Sequence, residues 1–245
     1  MTRSRLDEAL VARGLYPTRS RARDAVKRGT VMVDGVTITK PAQPIAEAAV
    51  IALADEARAY VSRAALKLKH ALDHFGLSPM DLNCLDVGAS TGGFSEVLLE
   101  HGARHVTAID VGHDQFSPSL AQDPRVTLKE GLNARDLAET DVEKPLQFIV
   151  CDVSFISLKL ALPNALALAV PGAKLVALIK PQFEAGREAI GKDGIVKSEA
   201  LRQRICDDIG SWLQASGWRV IGLLPSPLPG GSGNKEFLIA AEKSA

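Results

Sequence analysis

From Tyr60 onward the chain alternates between two kinds of hydrophobic pattern. Short apolar runs rich in β-branched residues occupy 84–87, 105–110, 126–130, 147–152, 173–179, 219–225 and 236–241. Segments near 63–75, 92–101, 158–168 and 198–216 instead carry apolar residues at helical spacing. Runs without polar alternation read as strands buried on both faces of a parallel sheet, and strand–helix alternation predicts a doubly wound α/β domain. The clearest run, Leu175-Val176-Ala177-Leu178-Ile179, ends on Lys180 and is stopped by Pro181. Lys180 is therefore predicted to emerge at a strand's carboxyl end, where open α/β sheets place their ligand sites. Phe148-Ile149-Val150-Cys151 ends in the same way on Asp152. A carboxylate and an amine are thus expected on one edge of the sheet.

The first part of the chain has a different grain. Residues 5–13 predict a short amphipathic helix closed by Gly14, and Thr18 predicts the N-cap of a second helix ending at Gly29. On that second helix Arg19, Arg23 and Lys27 fall at i, i+4 and i+8, opposite Ala22, Ala25 and Val26. Val31-Met32-Val33, the turn Asp34-Gly35 and Val36-Thr37-Ile38 predict a hairpin. Ala54–Ala59 reads as a linker, which divides the chain into a small α+β module over 1–58 and an α/β domain over 59–245.

Charge sharpens this division. The 245 residues carry no net formal charge, yet the first 40 hold nine Lys or Arg against four acids. That imbalance suits a basic module that meets nucleic acid, as well as a merely solvated helix face. The three cysteines form no C-x-x-C or Cys/His cluster, so they read as core residues of a reducing compartment and support no metal site. The basic N-terminus lacks a following apolar stretch, so a signal peptide is not expected, and Pro163, Pro171, Gly172 and Lys174 interrupt the longest apolar region. A cytoplasmic protein with no membrane partner is expected.

The module over 5–53 resembles an S4 RNA-binding domain. The resemblance is carried by Arg5-Leu6-Asp7, Arg13-Gly14-Leu15, Thr18-Arg19, Ala22, Gly29, Val31, Val33, Asp34-Gly35 and Lys40-Pro41, with Thr18 and Asp34 standing where Ser and Asn are more usual. It implies that Arg5, Arg19, Arg23, Lys27 and Arg28 contact RNA, chiefly through phosphates and backbone shape.

Asp86-Val87-Gly88-Ala89-Ser90-Thr91-Gly92-Gly93-Phe94 combines a strand end, a glycine-rich turn and a helix start, and Asp110 ends the next apolar run. An acid in that position suits a ribose diol, and glycines permit close backbone approach. A dinucleotide enzyme would share this much. The Asp-x-Gly-x-x-x-Gly-Gly spacing, however, resembles the S-adenosylmethionine loop of Rossmann-like methyltransferases. That implies Asp86, Gly88, Ser90, Thr91, Gly92, Gly93 and Phe94 around the methionine part, with Asp110 on the ribose and Asp152 adjoining. Asn133 would flank the adenine or simply form a turn.

Lys67, Asp152, Lys180 and Glu236 together match the Lys-Asp-Lys-Glu tetrad of FtsJ-type ribose 2′-O-methyltransferases. Glu236 follows the glycine-rich Gly230–Asn234, expected to be flexible, and opens the last strand. A longer resemblance, to the TlyA (hemolysin A) family, is carried by Gly88–Phe94, Asp152–Leu158, Lys180–Gly186 and Gly233–Leu238. Ala64-Ala65 stands where that family commonly has two glycines, adding volume beside Lys67. The resemblance implies a seven-stranded, mostly parallel Rossmann-like sheet and S-adenosylmethionine-dependent 2′-O-methylation of a ribosomal RNA cytidine. Ribosomal RNA or ribosomal subunits would be the partner. A ribose hydroxyl is a weak acid, so in-line transfer needs a base in a dry site. Lys180, next to a second ammonium on Lys67, is expected to have a lowered pKa and serve as that base. Asp152 would orient the hydroxyl or the lysine, and Glu236 would position Lys67. The sequence leaves the oligomeric state open. Competing readings are a non-catalytic S4 ribosome-assembly factor, a pore-forming hemolysin and an S4-bearing pseudouridine synthase, the last of which leaves the glycine loop unexplained.

Overall fold

The computed structural model describes residues 3–186, 191, 194–230 and 233–245. Gly231 and Ser232 of the glycine-rich segment lie outside the described residues. The chain divides into two units, Met1–Ala59 and Tyr60–Ala245.

In the first unit, β1 (Arg3–Arg5) leads into α1 (Leu6–Ala12), followed by α2 (Arg19–Lys27) and β2 (Val31–Val33). Then come β3 (Val36–Thr37), β4 (Pro44–Ala46) and β5 (Ile51–Leu53). Thr18 caps α2, its Oγ1 accepting from the Arg21 amide. Asp34 (φ 50°) and Gly35 (φ 79°) both take left-handed conformations, as a two-residue turn between right-twisted strands requires. β2 pairs antiparallel with β3 and β5, and β1 pairs with β4, a strand pair absent from the sequence expectation. The apolar faces of both helices meet over Leu6, Leu10, Tyr16, Ala22, Val26, Val31 and Ile45.

The expected linker is instead part of this unit. The Asp55 side chain is 1% exposed and accepts both terminal nitrogens of Arg28, at 2.8 and 2.9 Å. Tyr16 donates its hydroxyl to the same carboxylate. Glu56–Ala59 then forms a 3₁₀ turn, and Arg58 donates to the Leu15 carbonyl. A buried carboxylate with this many donors fixes the segment rather than freeing it.

The second unit begins with α3 (Ala65–Phe75), β6 (Asn83–Val87), α4 (Gly93–Glu100), β7 (His105–Asp110), α5 (Pro118–Ala121) and β8 (Val126–Glu130). It continues with β9 (Leu146–Cys151), α6 (Leu158–Ala161), α7 (Pro163–Leu168), β10 (Ala169–Ile179) and α8 (Pro181–Glu184). It closes with α9 (Glu199–Ala215), β11 (Trp218–Pro225) and β12 (Phe237–Lys243). The helix expected over 158–168 is two helices, because Pro163 has no amide to continue the ladder and starts a new turn instead. The seven strands lie in the order β11-β12-β10-β9-β6-β7-β8, and β12 alone runs against the rest.

Successive residues of the central strands feed two separate cores. Leu85, Ile149, Leu175 and Ala177 pack beneath α6, α7 and α9. Cys84, Phe148, Val150 and Val176 pack beneath α3 and α4. This is why the runs show no polar alternation. The order of connection reverses between β6 and β9, so a crevice opens at their carboxyl ends.

Replacing Asp55 with alanine would leave the Tyr16 hydroxyl without its acceptor and Arg28 paired with Asp24 alone among the described residues. The expected cost is about 2–3 kcal/mol, below that of a fully buried pair because Arg28 keeps some exposure. In the full-length chain, amide exchange in β2 and β5 should accelerate on the order of 30-fold while β6 and β9 stay unchanged. Unchanged exchange in β2 would contradict this role for Asp55.

Candidate active site

The crevice is a cleft of about 520 Å³ whose wall includes Gly88, Ser90, Asp110, Asn133, Asp152 and Phe155. Gly88 takes φ 82°, and a Cβ there would lie 3.1 Å from the Asp152 carbonyl oxygen, so only glycine lets the two strand ends approach this closely. Asp110 accepts the Ser90 amide on Oδ2 (2.8 Å) and the Gly112 amide on Oδ1 (2.7 Å), which fixes its carboxylate in the wall. Asn133 lines the cleft and accepts the Arg135 amide to start a 3₁₀ turn.

The rest of the glycine loop builds the cleft without lining it. Gly93 lies so close to Ser62 that a side chain would push the start of α4 off the turn before α3. Gly92, at φ 95°, faces Leu120 and Phe116 in the same way. Phe94 points into the core with Leu68 and Val97, and the Thr91 carbonyl accepts the Ser117 amide. Asp86 is fully buried, accepts the Ser95 hydroxyl at 2.7 Å, and leaves Oδ1 without a partner among the described residues.

Of the tetrad Lys67, Asp152, Lys180 and Glu236, Asp152 lines the cleft, and together the four form two ion pairs. Asp152, just past β9, lies 2.6 Å from Lys180 Nζ, which also donates to Ser154 Oγ at 2.8 Å. Ile179 pairs with Phe237 across β10 and β12, so Lys180 and Glu236 are the next residues of those two strands. Glu236 precedes β12 rather than opening it, and its Oε2 accepts Lys67 Nζ at 2.7 Å. Lys67, Lys180 and Glu236 are all buried. A Cβ on Gly230 would overlap the Glu236 carboxylate, so this glycine is what admits the carboxylate there. Each of the two ammonium groups has its own carboxylate, a pairing that the expected placing of Lys180 beside Lys67 did not include.

Ser154 and Glu184 lie in the motifs that carry the resemblance, but nothing in their spacing gave either a role. Glu184, on α8, accepts the Ser157 hydroxyl and the Leu158 amide, tying the loop after β9 to the helix after β10. Burial raises its pKa. Phe155, 91% exposed at φ 66°, packs at a tilt of 47° against Phe183 with ring centres 5.0 Å apart.

In the first unit, buried Asp7 organises the basic face. It accepts Arg5 and Arg19, each at 3.0 Å, with Arg23 at 4.0 Å. The Arg5 hydrogen bond, opposed by burial and helped by Arg19, holds its carboxyl at about 2. Arg19, Arg23 and Lys27 border a shallow concavity of about 480 Å³. Arg28 does not join them: its side chain is drawn inward between Asp24 and Asp55, where the charge is already paired.

Residues 60–243 match the FtsJ-like methyltransferase family, and residues 4–51 match the S4 domain family. The chain is 43% identical over 238 residues to the 16S/23S rRNA (cytidine-2′-O)-methyltransferase TlyA of Mycobacterium tuberculosis, spanning 97% of this chain and 89% of that one. The chain belongs to the TlyA family. A solved structure from Streptococcus thermophilus described as a hemolysin is 42% identical, with a TM-score of 0.78 over 100% of this chain and 90% of its own. An S-adenosylmethionine dependent methyltransferase from Listeria monocytogenes shares the fold at 15% identity, with a TM-score of 0.57 over 75% of this chain and 100% of its own. In this TlyA-family chain, no helix among the described residues is long and apolar enough to cross a membrane.

Burial raises the Asp86 carboxyl to about 7, with the Ser95 hydrogen bond opposing and the charges of Asp152 and Asp110 adding to the rise. The folded chain therefore keeps a proton that the unfolded chain loses near its ordinary value of 3.8. Stability from this group is lost as pH rises between those values, by up to about 1.4 kcal/mol per pH unit. Asp86→Asn keeps an acceptor for Ser95 and removes the titration. Urea unfolding of the variant should show a flatter decline across that window, and an unchanged slope would contradict the assignment.

Proposed function

We propose that this chain transfers a methyl group from S-adenosylmethionine to a ribose 2′-hydroxyl of ribosomal RNA, on a cytidine, in the cytoplasm. Residues 1–58 grip the RNA or ribosomal subunit, and residues 59–245 carry the reaction. The observation that carries this reading is the Lys180–Asp152 pair at the rim of the cleft that contains Asp110. The names of TlyA relatives from Mycobacterium tuberculosis and Campylobacter jejuni, both rRNA (cytidine-2′-O)-methyltransferases, support the substrate.

The cleft's size and lining fit the cofactor. Each Asp110 oxygen takes one amide and keeps a lone pair for a ribose hydroxyl. The bare Gly88 backbone would leave room for the methionine part beside buried Asp86, and Asn133 would flank the base. When bound, S-adenosylmethionine would supply the methyl group from its sulfonium, with the neutral thioether as leaving group.

The residues then divide the remaining work. Lys180 is the group placed to take up the hydroxyl proton, and Asp152 with Ser154 holds Nζ in position for it. Lys67, held by Glu236, stabilises the developing alkoxide from behind. The buried edge excludes water, which strengthens these charge interactions where the oxygen becomes nucleophilic. In the first unit, Asp7 pre-orients Arg5 and Arg19, so ordering them on the RNA backbone costs less side-chain entropy.

Lys180→Ala should abolish transfer of labelled methyl groups to rRNA while leaving cofactor affinity within about threefold; wild-type turnover would refute the role. Reversing Arg19, Arg23 and Lys27 to glutamate should weaken RNA binding at least tenfold. It should also lower the slope of log affinity against log salt by roughly 0.9 for each phosphate that the chain no longer neutralises. Unchanged affinity and slope would make the stripe an ordinary solvated face.

A further inference from the structure

A second concavity, of about 380 Å³, also borders Glu236 and lies between the start of α9 and the Pro225–Pro229 turn. Arg202 lines it while only 8% exposed. Its Nη1 donates to the Val196 and Lys197 carbonyls, at 2.8 and 2.9 Å. Its Nε and Nη2 have no partner among the described residues, and no carboxylate there pairs with this guanidinium. The two unpaired nitrogens keep some access to the concavity, so this edge is open to a ligand. The open Nε–Nη2 edge is also the one that meets a phosphate or carboxylate through two parallel hydrogen bonds.

The surroundings favour an anion. Lys235 stands exposed on the rim and makes no ion pair among the described residues. The N-terminus of the 17-residue helix α9, capped by Ser198, adds partial positive charge at the same wall. Two acids also border the concavity. Glu236 is neutralised by Lys67, and Glu199 is solvent-exposed, so neither cancels the buried guanidinium.

We propose that this concavity is a subsite for a backbone phosphate of the RNA strand, flanking the ribose that reacts at the tetrad. Glu236 belongs to both the tetrad and this wall, so a phosphate bound by Arg202 and Lys235 would fix the strand's direction across the site. The inference rests on the ribose 2′-O-methyltransferase reading.

The test is labelled-methyl transfer to undermethylated ribosomal subunits over a salt series, using the full chain, Lys235→Gln and Arg202→Gln. Glutamine at 202 retains an amide that can serve the two carbonyls, and Lys235 is exposed, so its replacement does not threaten the fold. Each variant should raise KM about fivefold or more with kcat within twofold. Each should also reduce the salt slope by roughly one and leave cofactor affinity unchanged. A wild-type KM and salt slope in Lys235→Gln would overturn the subsite, whatever Arg202→Gln does. Failure of the wild-type chain to methylate any rRNA would instead sink the underlying reading.

Discussion

Four charged groups can sit in the dry edge of this sheet because they alternate in sign. An unpaired ammonium or carboxylate at the burial of Lys67 or Glu236 would cost several kcal/mol. Pairing Lys180 with Asp152 and Lys67 with Glu236 removes most of that penalty. The alternation demands a particular backbone. β9 and β10 must end at one level, β12 must enter antiparallel beside them, and α3 must deliver Lys67 from another layer. Gly230 completes the arrangement by leaving room for the Glu236 carboxylate.

The same edge joins the cleft and the ion-paired lysine at one residue. Asp152 lines the cleft that runs past Gly88 to Asp110, and it also holds Lys180. The approach of Gly88 to the Asp152 backbone follows from the reversal of connection between β6 and β9, so on the proposed reading cofactor and acceptor would meet where the topology opens the sheet. Local strain collects there too. Ser90 and Phe155 both hold left-handed conformations, and Asp86 keeps an unpaired oxygen in full burial. Each costs folding energy, and functional sites are where such costs persist.

The strand cores were legible because residues buried on both faces cannot alternate, and Lys180 and Asp152 were legible because each terminates such a run. Contacts between distant segments left no such trace. Asp55 looks like a linker residue until the fold brings Arg28 and Tyr16 around it. For the same reason Arg28, which continues the basic composition of α2, could not be told from Lys27 by spacing alone. Glu184 and Ser154 sit inside motifs that were legible, but their roles depend on two loops meeting across neighbouring strands. The ion pairing of Lys67 depends on a partner 169 residues away and was visible only through resemblance.

If this charge-alternating edge methylates a ribose of ribosomal RNA, mass-spectrometric mapping of 2′-O-methyl groups in rRNA from a strain deleted for the gene, and then complemented, will register it. At least one cytidine 2′-O-methyl group should vanish on deletion and return with the wild-type chain. A chain whose Glu236 is replaced by glutamine should not restore it. An rRNA methylation pattern identical in all three strains would contradict the claim.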